Sequence, residues 1–455
     1  MHVFVFRKSP HKTKTYEMKI IYNDRKKRLN WGARSTGKAL YQVLIRDHEI
    51  IGDFDTPVYF VLSRYEVFQN AILNKYNYWL FRLILSFTRN VLSKFTNLTT
   101  ERKVIFNDVD KTADALLKYK YINPYLNRII EDIKICDALI INGEGSMIFG
   151  NPTRPELFFY FALIKIAKNL GKKTFYINAI ASKNSVTEFN EAEFESFKHC
   201  FDYCNKVVVR DKFSMDFLQK HNAAEKAVFC PDSLFTWVKY IEEGLKEPSI
   251  GDLIVPFPDE VTDYGIFDFS KPYICIGGSS YFWATGSYGD FIPGNTNYNE
   301  IIDNYVNLVN KIKRLGMTIF FVESCSKDAF LYEVSKKTKI PVIPSNINLI
   351  QAISILANAR VFISGRYHPS IMASLGGTPC VFMNSNSHKT YSVQFLLEYK
   401  KPRVYSPMLS DEIIENIYDD CKQLLIEGEI LRSQIRSVVK KLSYEANQIG
   451  FLLNE

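Results

Sequence analysis

The sequence predicts an α/β protein with two doubly wound domains, each built on a parallel sheet. Its 455 residues exceed what one compact core usually holds. Short apolar runs typical of strands alternate with amphipathic helical segments along most of the chain, and this alternation produces a parallel sheet covered on both faces. Glycine and proline cluster between residues 241 and 270 and interrupt the alternation. This interruption divides the chain into two α/β units.

The first domain is predicted over residues 1–245. Its strands are expected at 19–22, 58–62, 138–141, 173–177 and 206–209. Its first helix is expected to run from a cap near residue 35 through 40–45, and its other helices are expected within a largely helical segment at 65–133 and at 157–170 and 213–219. Ser35 or Thr36 is the predicted N-terminal cap of the first of these helices.

A linker is predicted over residues 246–270, a second domain over 271–410 and a C-terminal helical segment over 411–455. In the second domain, strands are expected at 273–276, 318–322, 341–343, 361–364 and 380–383, and helices at 298–315 and 349–357. The C-terminal segment has few helix breakers, and its apolar residues can pack against either domain.

Charge and cysteine content exclude several classes of protein. The net charge of +8 is modest and would suit an anionic substrate, a nucleic acid or an anionic membrane face. Without a basic arm, an Arg-Gly repeat or zinc-finger spacing, we do not expect a nucleic-acid binder. The eight cysteines form no C-x-x-C pair and no secretory segment precedes them, so buried thiols in the cytoplasm are predicted. No cluster of metal ligands is visible in the sequence.

Residues 77–96 form an apolar stretch that is interrupted by Arg82, Arg89 and Lys94. These charges argue against a helix that spans a membrane, which needs about 20 mostly apolar residues. One interpretation is a core or inter-domain helix, the usual origin of such a stripe. The other is a helix that lies on an anionic membrane, which would place the protein at the inner face of the cytoplasmic membrane.

The most informative segment follows the strand predicted at 361–364. Arg366 and His368 come directly after it, and Pro369 is expected to be the first residue of a helix that ends at Gly376 and Gly377. Ligands of open parallel sheets bind at this end of the strands. A helix N-terminus and a guanidinium favour an anion, and a histidine can carry a proton. The alternative is structural: Arg366 would pair with a neighbouring helix and His368 with a buried carbonyl.

Arg210 occupies a comparable position in the first domain, directly after the strand at 206–209. It is predicted to be a second anion ligand that faces the cleft from the other side. The alternative is an internal ion pair with the adjacent Asp211.

Two glycine-containing loops are also expected at the cleft. One includes Gly143, Glu144 and Gly145, and the other Asn30 and Gly32, where glycine lets the backbone approach a ligand closely. The first does not complete a dinucleotide fingerprint. Its glutamate is predicted to be either a general base toward a sugar hydroxyl or a helix cap. A further residue, Asp232, is predicted to serve either the cleft or its own turn.

Taken in chain order, these motifs resemble the polysaccharide pyruvyltransferase family over about residues 18–395. The motifs that carry the resemblance are Asn30-x-Gly32, DALIINGEG at 137–145, VRDxxS at 209–214, Pro231-Asp232, SGRYH at 364–368 and GTPCV at 377–381. The resemblance implies two Rossmann-like domains arranged as in glycosyltransferase-B enzymes. It also implies that Arg210, Arg366 and His368 hold the donor phosphoenolpyruvate, and Lys389 matches a lysine position of the family pattern. Ala33, Tyr367 and Glu144 depart from that pattern.

The activity implied by the resemblance is transfer of a pyruvyl group from phosphoenolpyruvate onto a sugar of a surface polysaccharide or its lipid-linked precursor. His368 would protonate the methylene carbon of the donor, two sugar hydroxyls would attack the resulting centre, and phosphate would leave to give a cyclic ketal. The scheme requires no cofactor. The alternative is a glycosyltransferase-B-type enzyme that uses a nucleotide-sugar donor, because the fold alone does not determine the donor. A third class is a glycan-binding protein without activity.

Overall fold

The computed structural model describes residues 17–23, 30–55, 61–62, 102–244, 267–283 and 298–453. Two parallel sheets, each with helices on both faces, form its centre. The apolar stretch 77–96 and most of the predicted linker 246–270 lie outside the described residues. None of the helices in the described ranges is both long enough and apolar enough to span a bilayer.

Within the described residues, the first sheet has six parallel strands. In spatial order they are β2 (Glu49–Phe54), β1 (Lys19–Asn23), β5 (Ala138–Phe149), β6 (Lys173–Lys183), β7 (Lys206–Val209) and β8 (Ala227–Phe229). The helices of this domain are α1 (Trp31–Leu44), α2 (Val109–Tyr119), α3 (Pro124–Ile135), α4 (Pro155–Asn169), α5 (Glu191–Lys198), α6 (Lys212–Lys220) and α7 (Val238–Glu242).

Several predicted boundaries in the first domain are wrong. The strand β2 was not predicted, because its edge position leaves polar residues half-exposed and weakens the apolar signal. The described part of the strand predicted at 58–62 is β3 (Val61–Leu62), which pairs with β4 (Arg102–Lys103) outside the main sheet. Helix α1 starts earlier than expected because Asn30, rather than Ser35 or Thr36, caps it: the Asn30 side chain accepts from the amide of Ala33.

The predicted loop after residue 141 is also wrong, because β5 continues through it to Phe149. The strand is buried along almost its whole length and pairs with β6 on both sides of an irregularity between Glu144 and Met147. Glu144 has a φ of 44°, in the left-handed region. The motif is therefore a bulge within a central strand, and bulges of this kind re-aim side chains next to active sites.

The second sheet has five parallel strands among the described residues. In spatial order they are β11 (Val342–Ile343), β10 (Thr318–Val322), β9 (Tyr273–Ser279), β12 (Val361–Gly365) and β13 (Cys380–Phe382). The helices are α8 (Tyr298–Ile312), α9 (Phe330–Thr338), α10 (Leu349–Asn358), α11 (Tyr367–Leu375), α12 (Lys389–Leu396) and α13 (Asp411–Ala446). Helix α11 begins at Tyr367 rather than at Pro369.

The C-terminal helix returns to the first domain. It bends at Gly428, whose φ of 51° lies outside the helical region, and short turns follow its end. Ile449 and Leu453 then enter the apolar cluster that also contains Ile20 and Leu40 of the first domain. The last residues thus tie both domains together.

The start of α1 makes a second connection between the domains. The amide of Trp31 donates to the carbonyl of Ser324 at 2.9 Å, and its indole nitrogen donates to the carbonyl of Ser345 at 3.0 Å. Asn30 also forms a β-bridge with Cys325. These contacts hold α1 against the carboxyl end of β10, next to the cleft between the two sheets.

All eight cysteines are buried and unpaired. Burial raises the pKa of their thiols, for example to about 11 for Cys136 and about 12 for Cys230.

Candidate active site

Arg210 is completely buried where β7 ends, and its side chain meets α11 of the second domain. Its Nη1 donates to Oδ2 of Asp232 at 2.7 Å and lies 2.9 Å from Nε2 of His368. The ring of Tyr367 packs 4.4 Å from the guanidinium carbon. Its Nε has no hydrogen-bond partner among the described residues. Arg210 pairs with Asp232, so the predicted alternative of an internal pair with Asp211 is wrong.

Asp232 is the carboxylate that joins the two sides of the cleft. Its Oδ1 accepts from the amide of Leu234 at 2.9 Å and from the hydroxyl of Thr36 at 3.1 Å. Its Oδ2 faces Arg210 and lies 3.3 Å from Nε2 of His368. Burial alone would raise the pKa of Asp232, but the charges of Arg210 and His368 outweigh burial and hold it at about 2. The aspartate is therefore ionised at neutral pH.

His368 lies in the first turn of α11 and reaches from the second domain to the first. It packs against α1 so closely that a Cβ added to Gly32 would lie 2.3 Å from its Nδ1. Gly32 is thus required for this close approach. Because Nδ1 faces α1, Nε2 is the ring nitrogen that lies at the cleft.

Arg366 precedes α11 and forms a buried ion pair. Its Nη2 and Nε lie 2.5 and 3.1 Å from Oδ1 of Asp328, a fully buried carboxylate that also accepts from the hydroxyl of Ser324. Burial alone would lower the pKa of Arg366, but the charge of Asp328 outweighs it and raises that pKa. The predicted structural alternative is thus present in part: Arg366 has an internal partner, Asp328, at the end of a short 3₁₀ helix that leads into α9.

Lys389 is the first residue of α12, and its Nζ donates to Oδ1 of Asn386 at 2.5 Å. Burial, together with the charges of Arg154, Arg366 and Arg210, lowers the pKa of this amine well below its usual value of 10.5. These four cations come from both domains. A bound anion would reduce the repulsion among them, part of which Asp232 and Asp328 already offset at Arg210 and Arg366.

The sequence model of the polysaccharide pyruvyl transferase family matches residues 38–387. The chain belongs to this family. None of the curated proteins matches it. The resemblance seen in the motifs is therefore confirmed for most of the chain.

Two solved structures are similar to this chain. The Anabaena protein Alr3699/HepE, in complex with UDP and glucose, is 11% identical with a TM-score of 0.51, and the match covers 96% of this chain and 99% of that one. UDP-GlcNAc 2-epimerase from Neisseria meningitidis, bound to UDP-GlcNAc, is 10% identical with a TM-score of 0.48 over 96% and 99% of the two chains. The likeness to the Anabaena protein shows the fold, and the predicted glycosyltransferase-B-like arrangement of two Rossmann-like domains is confirmed.

Two basic residues near the site, Arg154 and Lys327, were not predicted from the sequence of this family member. Arg154 donates from Nη1 to the carbonyl of Gly145 at 3.3 Å. Burial and the charges of Arg154 and Arg366 lower the pKa of Lys327 to about 8. Arg154 follows β5 and Lys327 follows β10, so both fit the pattern of a cation after a parallel strand that predicted Arg210 and Arg366. A turn separates each of them from its strand, and the pattern is therefore weaker in the sequence.

The remaining predicted residues of the family motifs lie in β5 and at the start of α1. Glu144 is buried in the β5 bulge, and its charge acts on Lys389. Gly143 packs on Tyr176, since an added Cβ would lie 2.3 Å from that ring. Gly145 binds Arg154 through its carbonyl. Asn30 caps α1, as described above, and its side chain also borders Gly32.

A buried polar network behind Asp232 was also missed. Nδ2 of Asn178 donates to the hydroxyl of Thr36 at 2.5 Å, and its Oδ1 accepts from the amide of Ser233 at 3.1 Å. Asn178 adopts a φ of 56°, which asparagine tolerates better than most residues. The network fixes the hydroxyl that binds Asp232, and thereby the orientation of the carboxylate.

Among the described residues, no group of three or more His, Cys, Asp or Glu side chains is arranged to hold a metal ion.

Proposed function

We propose that this protein transfers the pyruvyl group of phosphoenolpyruvate onto a sugar of a surface polysaccharide or of its lipid-linked precursor, with formation of a pyruvate ketal. The observation that supports this most is the Arg210–Asp232–His368 group, which joins a proton carrier and an anion ligand across the cleft. Family membership supports a polysaccharide acceptor.

The donor carries a carboxylate and a phosphate, and the cleft offers cations for both. Arg210 has an Nε without a partner in the described part of the chain, and a bound anion can accept from it. Lys389 and Arg366 add charge from the second domain, next to the N-termini of α12 and α11. A dianionic or trianionic donor would relieve the repulsion among these groups.

His368 is the proposed acid. Ionised Asp232 faces Nε2 of His368 and orients the ring, as in other His-Asp pairs. In the proposed reaction protonated His368 donates its proton to the methylene carbon of phosphoenolpyruvate. The first sugar hydroxyl then forms a bond to the adjacent carbon and loses its proton. The second hydroxyl attacks the same carbon as the C–O bond to phosphate breaks; the phosphate leaves with the bonding electrons and takes up the proton of that hydroxyl.

Glu144 remains the predicted base for a sugar hydroxyl. It is buried, and it lies close enough to Lys389 for its charge to raise the pKa of that amine. No cofactor is needed in this scheme. We propose a cytoplasmic location, with membrane contact through residues 77–96 as a further prediction.

The deciding experiment incubates the purified protein with phosphoenolpyruvate and candidate glycans, and follows phosphate release together with the mass of the glycan. Ketal formation predicts stoichiometric phosphate and a glycan that has gained one pyruvyl group. His368→Gln should abolish both products, whereas His199→Gln, at an exposed histidine outside the cleft, should not. Turnover of a nucleotide sugar without phosphate release from phosphoenolpyruvate would overturn the proposal. Undiminished product with His368→Gln would remove its mechanism.

A further inference from the structure

A second histidine, His388, crosses the cleft at a different place. Its Nε2 lies 2.9 Å from Oδ1 of Asp211, a fully buried carboxylate of the first domain. The same carboxylate caps α6, because it accepts from the amide and the hydroxyl of Ser214 at 2.8 and 3.0 Å. The hydroxyl of Ser214 in turn accepts from the amide of Ala181 at 3.0 Å. Asp211 is thus fixed on the first domain, and His388 is the group that meets it from the second.

Two more contacts hold the same region of the second domain. The ring of Phe213, beside Asp211, packs 5.7 Å from the ring of His388 and 5.0 Å from that of Phe395. The amide of Ser185 donates across the cleft to the carbonyl of Asn386 at 3.1 Å. The segment before α12 is therefore held by the first domain at three points.

The position of this pair in the chain connects it to the active site. Asp211 directly follows Arg210, and His388 directly precedes Lys389. In addition, Asn386 binds the amine of Lys389 through its side chain while its carbonyl is held by the first domain. A shift of the 385–388 segment would therefore move Lys389 relative to Arg210.

We propose that His388 is a positioning residue, which by binding Asp211 sets the distance between the cations Lys389 and Arg210 on opposite sides of the cleft. The proposal goes beyond the proposed function, because it concerns the binding of any anionic donor. His388 itself need not touch the donor.

Removal of this contact is not expected to separate the domains. Trp31 bonds to Ser324 and Ser345 on the other side of the cleft, and the end of the chain packs into the first domain. The expected effect is therefore confined to residues 385–396.

The test compares His388→Ala, His388→Gln and the control His199→Ala in the full chain. Hydrogen exchange of residues 385–396, affinity for inorganic phosphate, and kcat and KM for phosphoenolpyruvate are measured. In His388→Ala we expect exchange about tenfold faster and phosphate affinity and donor KM about tenfold worse, the scale of one charge-assisted hydrogen bond. A smaller change in kcat is expected. Gln can still donate to Asp211 and should recover most of the loss.

Unchanged exchange and phosphate affinity in His388→Ala would overturn the proposal, as would a Gln variant that is as impaired as the Ala variant. If the Ala variant does not fold, His388→Asn, whose shorter amide cannot reach Asp211, replaces it with the same expectation. A wild-type protein that does not turn over phosphoenolpyruvate would refute the proposed function alone. Exchange and phosphate binding would still decide the role of His388.

Discussion

Replacement of Gly32 by Ala tests the placement of His368 without touching that residue. The new Cβ would lie 2.3 Å from Nδ1 and 3.0 Å from Cγ of His368, whereas ordinary contacts begin at 3.4 Å. The imidazole must therefore move by about 1.1 Å, the difference between 3.4 and 2.3 Å. Its Nε2 now lies 2.9 Å from Arg210 and 3.3 Å from Asp232. A shift of this size removes at least one of these contacts.

The expected loss is about 100-fold in kcat, since a misplacement of about 1 Å costs roughly that factor in an active site. The free energy of unfolding should not fall together with kcat. Alanine favours a helix interior by about 1 kcal/mol over glycine, and a smaller gain at Gly32, the second residue of α1, offsets part of the strain at the ring of His368. The variant is thus expected to remain folded while it becomes almost inactive.

Phosphate release from phosphoenolpyruvate gives kcat, and denaturant unfolding gives the stability. The matched control is Gly450→Ala, near the other end of α1, where the nearest atom is the flexible Oδ2 of Asp47 at 3.2 Å. This control should keep wild-type activity. A Gly32→Ala protein with kcat within about twofold of wild type would refute the reasoning, because a displaced His368 could not then be the acid.

Three further predictions concern the charged groups of the site. Asp328→Asn weakens the buried partner of Arg366 and should lower the free energy of unfolding by about 3 kcal/mol, measured by denaturant titration; a change below about 1 kcal/mol would contradict a buried pair. The pKa of Asp232 is lowered from 3.8 to about 2 by folding, so its stabilisation is complete above about pH 4 and is lost as the pH falls towards 2. Asp232→Asn should flatten that part of the acid unfolding curve, and an unaltered curve would count against the assignment. Because the pKa of Lys389 is lowered, a bound phosphate should raise it again, and binding should take up protons at pH values above the lowered pKa. Calorimetry in buffers of different ionisation enthalpy should show reduced uptake in Lys389→Met, and equal uptake in both proteins would refute this.

Sequence reasoning found those site residues that directly follow a strand. Arg210 and Arg366 stand one or two positions after an apolar run, and the geometry of a parallel sheet places such residues at one edge. Their partners could not be found in this way. Asp328 meets Arg366 only through tertiary packing, and no local pattern marks it. Asp232 was predicted from its turn and motif, but its pairing with Arg210 was not.

Errors in the predicted elements have local physical causes. Asn and Gly within 142–146 indicated a loop, but pairing with β6 on both sides of the bulge at Glu144 maintains the strand. The cap of α1 was placed at Ser35 or Thr36 because both are good caps, yet Asn30 lies where the helix meets the second domain and takes that role. In both cases contacts from distant residues outweighed local preference.

The burial of all eight thiols has a practical consequence for labelling. Their raised pKa and their burial make them poor nucleophiles in the folded protein. A cysteine introduced at an exposed position, such as Ile426 or Ile430 on the bent C-terminal helix, would be the reactive one under native conditions. Fluorescent or spin probes can therefore be attached at chosen sites without first replacing the natural cysteines.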